Sequence, residues 1–249
     1  MILESAGIFW TPPTSHLTYE VVAPFVLEED LDRLSFAIGM GTETGFECSY
    51  RVAHLATHHF VQALQDDSLI PNMAFAQAGR AADSILRAQF PYDNDSAPGC
   101  TLISGLIQND QAWIAWIAWI GSETAWHFRH ASLIASTLPH TLGNAIKAAY
   151  PDQDMGVNPL AHAAHRAFYS QNVLDVSQIE TLESPWTLLP GDTLIFTTQE
   201  LTRHLVPQQV AQQLEGKDAS QIAQLLLAML PENEKHYGAA AIVIRVADS

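Results

Sequence analysis

The residue types that do chemistry come in short-range pairs. His54 and His58 stand four apart in a stretch with helical periodicity, and His162 and His165 stand three apart. Either spacing puts two imidazoles on one helical face, where they could hold a transition metal. Neither pair has an evident third ligand, and a solvated face explains both. Cys48 falls at the start of a predicted helix, a place that lowers a thiol pKa. A buried structural thiol is the plainer reading. Ser104-Gly105 and Gly121-Ser122 lack the pattern of a nucleophile elbow, and no P-loop or dinucleotide fingerprint occurs. One platform says more. "PGDTLIFTTQEL" (190–201) reads as a turn, a strand over Thr193 to Thr198 and a short helix over Glu200 to Leu205. A strand that ends in a turn at the mouth of a sheet is a frequent seat for an acid, and here the seat holds Gln199.

The elements that would carry these residues follow from periodicity. The first 27 residues read as extended, with strands over Thr18 to Val22 and Phe25 to Leu27 and an acidic connection over Glu28 to Asp32. Leu34 to Ile38 is a buried strand, and Gly39-Met40-Gly41-Thr42 reads as a glycine turn. Ala53, Ala56, Phe60 and Leu64 form one apolar stripe on a helix over 46–65, and Ala78, Ala82, Ile85 and Leu86 form another over 72–89. Asp93 to Gly99 is a polar loop. Strands follow over Thr101 to Ile107, Ala112 to Ile120 and Thr124 to Arg129. "WIAWIAWI" is apolar on both faces, as a mid-sheet strand with layers above and below must be. Its tryptophans, with Trp126, read as core before they read as a ligand platform. Helices are predicted over 141–150, 160–168, 207–214 and 219–230, the last capped by Asp218. Strands are predicted over 181–188 and 239–246.

Composition sets the limits. With 249 residues, 48% of them hydrophobic, the chain suits one domain over 1–249 with a sizeable core. The net charge of −16, from 27 acids and 11 bases, speaks against nucleic acid and anionic membrane as partners, since both need a positive patch. Two cysteines without a CxxC pattern, no basic leader and no long apolar run lead us to expect a reduced, cytoplasmic protein. Doubly buried strands with helix pairs on separate stretches lead us to expect an α+β, four-layer α/β/β/α sandwich.

Four segments in order then resemble the metal-dependent PP2C-type (PPM) Ser/Thr protein phosphatases. "FAIGMGTETG" (36–45) resembles the family's strand and Asp-Gly-Met-Gly-Gly turn. "AWIAWIGSETAWHFRHASL" (115–133) resembles its strand, Gly-Asp-Ser-Arg turn and following strand. "LPGDTLIFTTQEL" (189–201) resembles its Pro-Gly-Asp strand ending in Ser-Asp-Gly-Leu, and "HYGAAAIVIRV" (236–246) its Asp-Asn turn and last strand. The resemblance implies two divalent cations held mainly by Asp, with a bridging water that attacks a phosphoryl group. The acid positions it marks hold other residues here: Ile38, Ser122, Gln199 and the pair Tyr237-Gly238. The family often places a His near His140, with a neighbouring acid where this chain has Pro139. Glu43, Glu123 and Glu200 lie beside or near the altered positions and could form a displaced metal site.

Two functions follow from that pattern. The first is a catalytically inactive, pseudophosphatase-like domain that needs no cofactor and regulates by binding a protein partner, its acidic surface steering toward basic partners. The second is a divergent Mn- or Mg-dependent phosphoprotein phosphatase that uses the displaced carboxylates. A small-molecule module reusing the old cleft is a third.

Overall fold

The computed structural model describes residues 2–10, 19–22, 33–41, 46–90, 98–152, 158–169, 174–175, 178–231 and 239–247. Its layering is legible from one strand, β5 (Trp113–Ile120). Ala115, Ile117 and Trp119 join a hydrophobic cluster with Phe36, Ile38 and Phe196, while Ala118 and Ile120 join another with Phe60, Phe75 and Leu86. The first cluster lies between two sheets. The second lies between a sheet and helices α1 (Phe46–Ala63) and α2 (Pro71–Gln89). A third cluster packs the other sheet against α5 (Pro207–Ala211) and α6 (Ala219–Ala228), through Val210, Ile222 and Leu226. Three apolar seams separate four layers, as the sequence pattern requires.

One sheet runs in the order β1 (Ile2–Trp10), β12 (Ala239–Ala247), β11 (Thr193–Thr197), β6 (Thr124–Arg129), β7 (Ser132–Ser136). The other runs β10 (Trp186–Thr187), β5, β4 (Gly99–Asn109), β3 (Arg33–Gly41), β2 (Tyr19–Val22). The short β8 (Phe168–Tyr169) adds to β4 and β9 (Glu180–Thr181) to β5. All these pairings are antiparallel. Phe36 of β3 meets Phe196 of β11 edge-on across the sheets at 4.6 Å, a geometry that the quadrupoles of aromatic rings favour.

The helices form where the apolar stripes lie. Ala53, Ala56, Phe60 and Leu64 are all fully buried, and so are Ala78, Ala82 and Leu86. Pro71 opens α2 at a position whose amide needs no partner. Asp218 caps α6 and exchanges hydrogen bonds with Gln221 in a capping box.

The structure departs from the sequence expectations in four places. First, β3 does not turn at Gly39. It continues through Gly41, paired with Cys100. A Cβ at Gly39 would lie 2.5 Å from the Thr57 methyl of α1, so the glycine serves helix packing and not a turn. Second, 160–168 is no helix; a single 3₁₀ turn over Pro159–His162 leads into extended chain and β8. Third, 181–188 breaks into β9 and β10, with Pro185 between them unable to donate to a ladder. Fourth, β7 has too short an alternation to be predicted. The expected strand at 25–27, the connection at 28–32 and the loop at 93–97 lie outside the described residues.

The end of the sandwich where β11 begins is tied by one buried carboxylate. Asp192 is fully buried and accepts from Arg129 Nε and Nη2 at 2.7 Å each, from His127 Nε2 at 2.8 Å and from the Leu189 amide at 2.9 Å. Burial alone would raise its pKa, but Arg129, His127 and the amide outweigh it and hold it down at about 2. A depressed carboxyl contributes stability above its ordinary 3.8 that is lost as pH falls toward about 2. Asp192→Asn is expected to cost about 3 kcal/mol at neutral pH, read from urea unfolding, and to flatten the acid limb of the stability profile over that window. An unchanged unfolding midpoint would contradict this account.

Candidate functional site

At the opposite end of β6 and β11, the turn Gly121–Glu123 is held by its neighbours. Gly121 has φ +117°, and a Cβ there would lie 2.3 Å from Thr101, so only glycine fits. Its amide donates to His140 Nδ1 at 3.2 Å, and the His140 amide donates back to the Gly121 carbonyl at 2.6 Å. With Nδ1 accepting, the ring proton of neutral His140 sits on Nε2 and donates to Glu180 at 2.8 Å. Burial lowers the His140 pKa, with the Glu180 bond working against it. Trp119 stacks on the imidazole at 6.1 Å and donates to the Leu138 carbonyl at 3.0 Å. The His165 amide reaches the His140 carbonyl at 3.0 Å, and the Leu142 amide reaches Ala163 at 2.8 Å. These bonds pin an appendage, α3 (Leu142–Ala149) with the 3₁₀ turn, over the end of the sandwich.

Glu123 lies beneath it with no exposed surface. The Thr101 hydroxyl donates to Oε1 at 2.5 Å, and Oε2 has no hydrogen-bond partner among the described residues. The hydroxyls of Ser122 and Thr124 are likewise buried without a partner there. Burial pushes Glu123 up to about 8; the charge of Glu200 adds to that, and the Thr101 bond opposes it. At neutral pH this side chain is a carboxylic acid. A buried carboxylate with no cationic partner is costly, and protonation removes the cost.

Gln199, the residue on the platform, opens α4 (Gln199–Thr202). Its amide donates to the His162 carbonyl at 2.5 Å and so ties the 3₁₀ turn to the mouth of the sheet. Thr198 secures the strand end, since its amide donates to the Ala240 carbonyl at 3.1 Å and its hydroxyl accepts from the Ala240 amide at 3.2 Å. The structure brings Ser122, Glu123, Gln199 and Glu200 to one end, where β6 pairs with β11 through Thr124 and Thr197. Ile38 is fully buried in the seam between the sheets, paired with Ile103. Glu43, Tyr237 and Gly238 lie outside the described residues. The His54 and His58 rings lie 4.0 Å apart with their planes tilted by 58°, and His165 stands edge-on to His140 at 6.0 Å. Among the described residues no group of three His, Cys, Asp or Glu could hold a metal ion. Thr101 and Glu180 were not legible as partners, because each reaches its target from a separate strand.

The strand order, the four layers and the paired turns at the ends of β5 and β11 define the sandwich of the PP2C-type phosphatases. The chain aligns in full with the Mycobacterium tuberculosis serine/threonine phosphatase PstP/Ppp, at a TM-score of 0.75 and 16% identity over 100% of both chains. The catalytic domain of PstP in complex with two manganese ions gives 0.69 at 17% identity, covering 99% of this chain and 100% of that one. PppA, a key regulatory component of T6SS in Pseudomonas aeruginosa, gives 0.67 at 16% identity over 98% of each. Identities this low establish a shared fold and leave activity open. No protein-family model matches the chain, and no curated protein sequence matches it.

Two outcomes are expected. Glu123 has a folded pKa above its ordinary 4.5, so its contribution to stability is full below 4.5 and is lost as pH rises toward about 8. Across that window the wild type should lose about 1.4 kcal/mol per pH unit relative to Glu123→Gln, read from urea midpoints; parallel profiles would sink the assignment. Gln199→Ala should speed amide hydrogen exchange and proteolysis within 158–166 with little change in the global unfolding midpoint. Unchanged exchange there would show that the tether carries no weight.

Proposed function

We propose that this chain is a non-catalytic PP2C-like domain that regulates by binding another protein. The observation that carries the reading is what stands at the positions set against the family's acids. Ile38 is hydrocarbon inside hydrocarbon. Ser122 offers a hydroxyl, and the Gln199 amide is engaged by a backbone carbonyl. Two divalent cations need several anionic oxygens. Among the described residues this end offers Glu123, neutral at pH 7, beside Glu200. That donor set does not fit a dinuclear centre, and no phosphoryl-transfer step is assigned to it.

Binding is supported by the appendage. Leu138, Tyr150 and Leu160, on it or beside it in sequence, are 65%, 61% and 60% exposed, apolar surface of the kind a protein partner covers. The net charge of −16 favours a basic partner over nucleic acid or an anionic membrane. No described helix is long and apolar enough to cross a membrane, and the sparing use of cysteine supports a cytoplasmic setting. A neighbour of this fold, PppA, is a regulatory component of its own system.

The alternative, a Mn- or Mg-dependent phosphatase using Glu43, Glu123 and Glu200, draws on the nearness of Glu200 to Glu123. The purified chain is expected to hydrolyse neither p-nitrophenyl phosphate nor a phosphothreonine peptide above a heat-killed control in Mn²⁺ or Mg²⁺. Capture from the native host should return a specific protein that stays bound in EDTA. Metal-dependent turnover, or micromolar Mn²⁺ binding lost in Glu123→Gln or Glu200→Gln, would favour the alternative.

A further inference from the structure

Each ring nitrogen of buried His140 answers to a different element. The Gly121 amide, in the turn after β5, donates to Nδ1 at 3.2 Å. Glu180 of β9 accepts from Nε2 at 2.8 Å. From the chain that follows the 3₁₀ turn, Arg166 Nη1 stands 3.4 Å from Nε2, and the His165 ring meets the imidazole edge-on at 6.0 Å. Trp119 of β5 stacks on the ring.

Acid acts on the two nitrogens differently. Nε2 carries the proton of the neutral ring, and in the cation it still donates to Glu180. Nδ1 is an acceptor. A proton taken there from solvent turns it into a donor aimed at another donor, the Gly121 amide. Gly121 is buried, so its N–H would lose its acceptor in a dry place, which costs the desolvation penalty of that group. The turn has little room to swing aside, because Thr101 closes against Gly121. The other side of the contact can move. α3 buries none of its residues, and it is joined to the 3₁₀ turn through the Leu142 amide and the Ala163 carbonyl. Few buried contacts oppose its departure.

We propose that His140 is an acid-sensitive latch: a proton on Nδ1 breaks the bond to Gly121 and frees α3 and the 3₁₀ turn from the end of the sandwich. The surroundings of the ring set where the latch works. Burial disfavours the cation and lowers the His140 pKa from its ordinary 6.5; Glu180 opposes that, while Arg166 and His165 add to it. A lowered pKa means that the latch holds fully above pH 6.5 and is lost as pH falls below it. The two buried carboxyl groups do not imitate this. Glu123 contributes more stability, not less, as pH falls toward 4.5, and Asp192 loses its contribution only below 3.8. Loosening of the appendage between pH 6.5 and 4.5 is therefore local. The latch belongs to the chain alone and does not depend on a partner.

The test follows amide hydrogen exchange of the full chain from neutral pH down to the lower end of that window, corrected for the intrinsic pH dependence of exchange. An NMR titration of the His140 ring nitrogens runs alongside. The amides of Gly121, His140 and His165, and those within 141–150, are expected to exchange about tenfold faster once His140 is charged. Glu180→Gln should move the midpoint of that change to lower pH and Arg166→Gln should move it to higher pH, each by about one unit. His140→Asn offers an oxygen in place of Nδ1 and does not titrate, so its appendage should stay protected throughout. Protection that stays flat while His140 titrates overturns the latch. So does a midpoint that ignores both charge variants, and so does the same acid loosening in His140→Asn. If the Asn variant fails to fold, the two charge variants still decide the matter.

Discussion

Gly121 and His140 exchange two hydrogen bonds, and most of one end of the molecule depends on that exchange. It sets the path of the chain after β5, because Gly121 must hold a positive φ while its carbonyl and amide both point at His140. It also fixes the imidazole tautomer, which directs the remaining N–H at Glu180. Through the His140 carbonyl it anchors His165, and with it the segment that Gln199 holds from the other side. The imidazole is thus committed at both nitrogens to structure, which leaves it no lone pair for accepting a substrate proton.

Two carboxyl groups show what the fold asks of charge. Asp192 and Glu123 are both fully buried, yet they end in opposite states. Asp192 gathers a bidentate guanidinium, an imidazole and an amide, and stays ionised with a pKa near 2. Glu123 is raised by burial and has only the Thr101 hydroxyl and the amides of its own turn to oppose that, beside the anionic Glu200; it takes up a proton, with a pKa of about 8. Burial acts alike on both; the number and sign of the partners decides the outcome. The ionised group holds the strand entry of β11 to β6, while the neutral group fills the space under the turn with polar volume and no charge.

The layers were readable because "WIAWIAWI" has no polar face and the stripes of α1 and α2 recur at helical spacing. The platform at Gln199 was readable as a strand leading into a helix, although its amide partner, the His162 carbonyl, was not. Long-range partners of that kind depend on how loops fold back, and a one-dimensional pattern carries no record of it. The glycines at 39 and 41 misled for a related reason. Glycine marks a turn or a close approach with equal right, and only the position of Thr57 across the layer distinguishes the two. Segment 160–168 misled because helical spacing of apolar residues also occurs in a chain that only covers another element. Pro159 opens one 3₁₀ turn there, and Phe168 leaves it to pair in the sheet.

One edge strand of the five-stranded sheet, β7, is five residues long, ends in serines at both sides and meets β6 through a register shift at His127 and Phe128. Such a strand is a poor template. A second molecule aligning against it would find few consecutive backbone groups in register and would have to accommodate the local twist of the irregularity. Selection works against sheets that grow by recruiting strangers, and this edge limits growth by geometry, with no lysine or proline spent on the task.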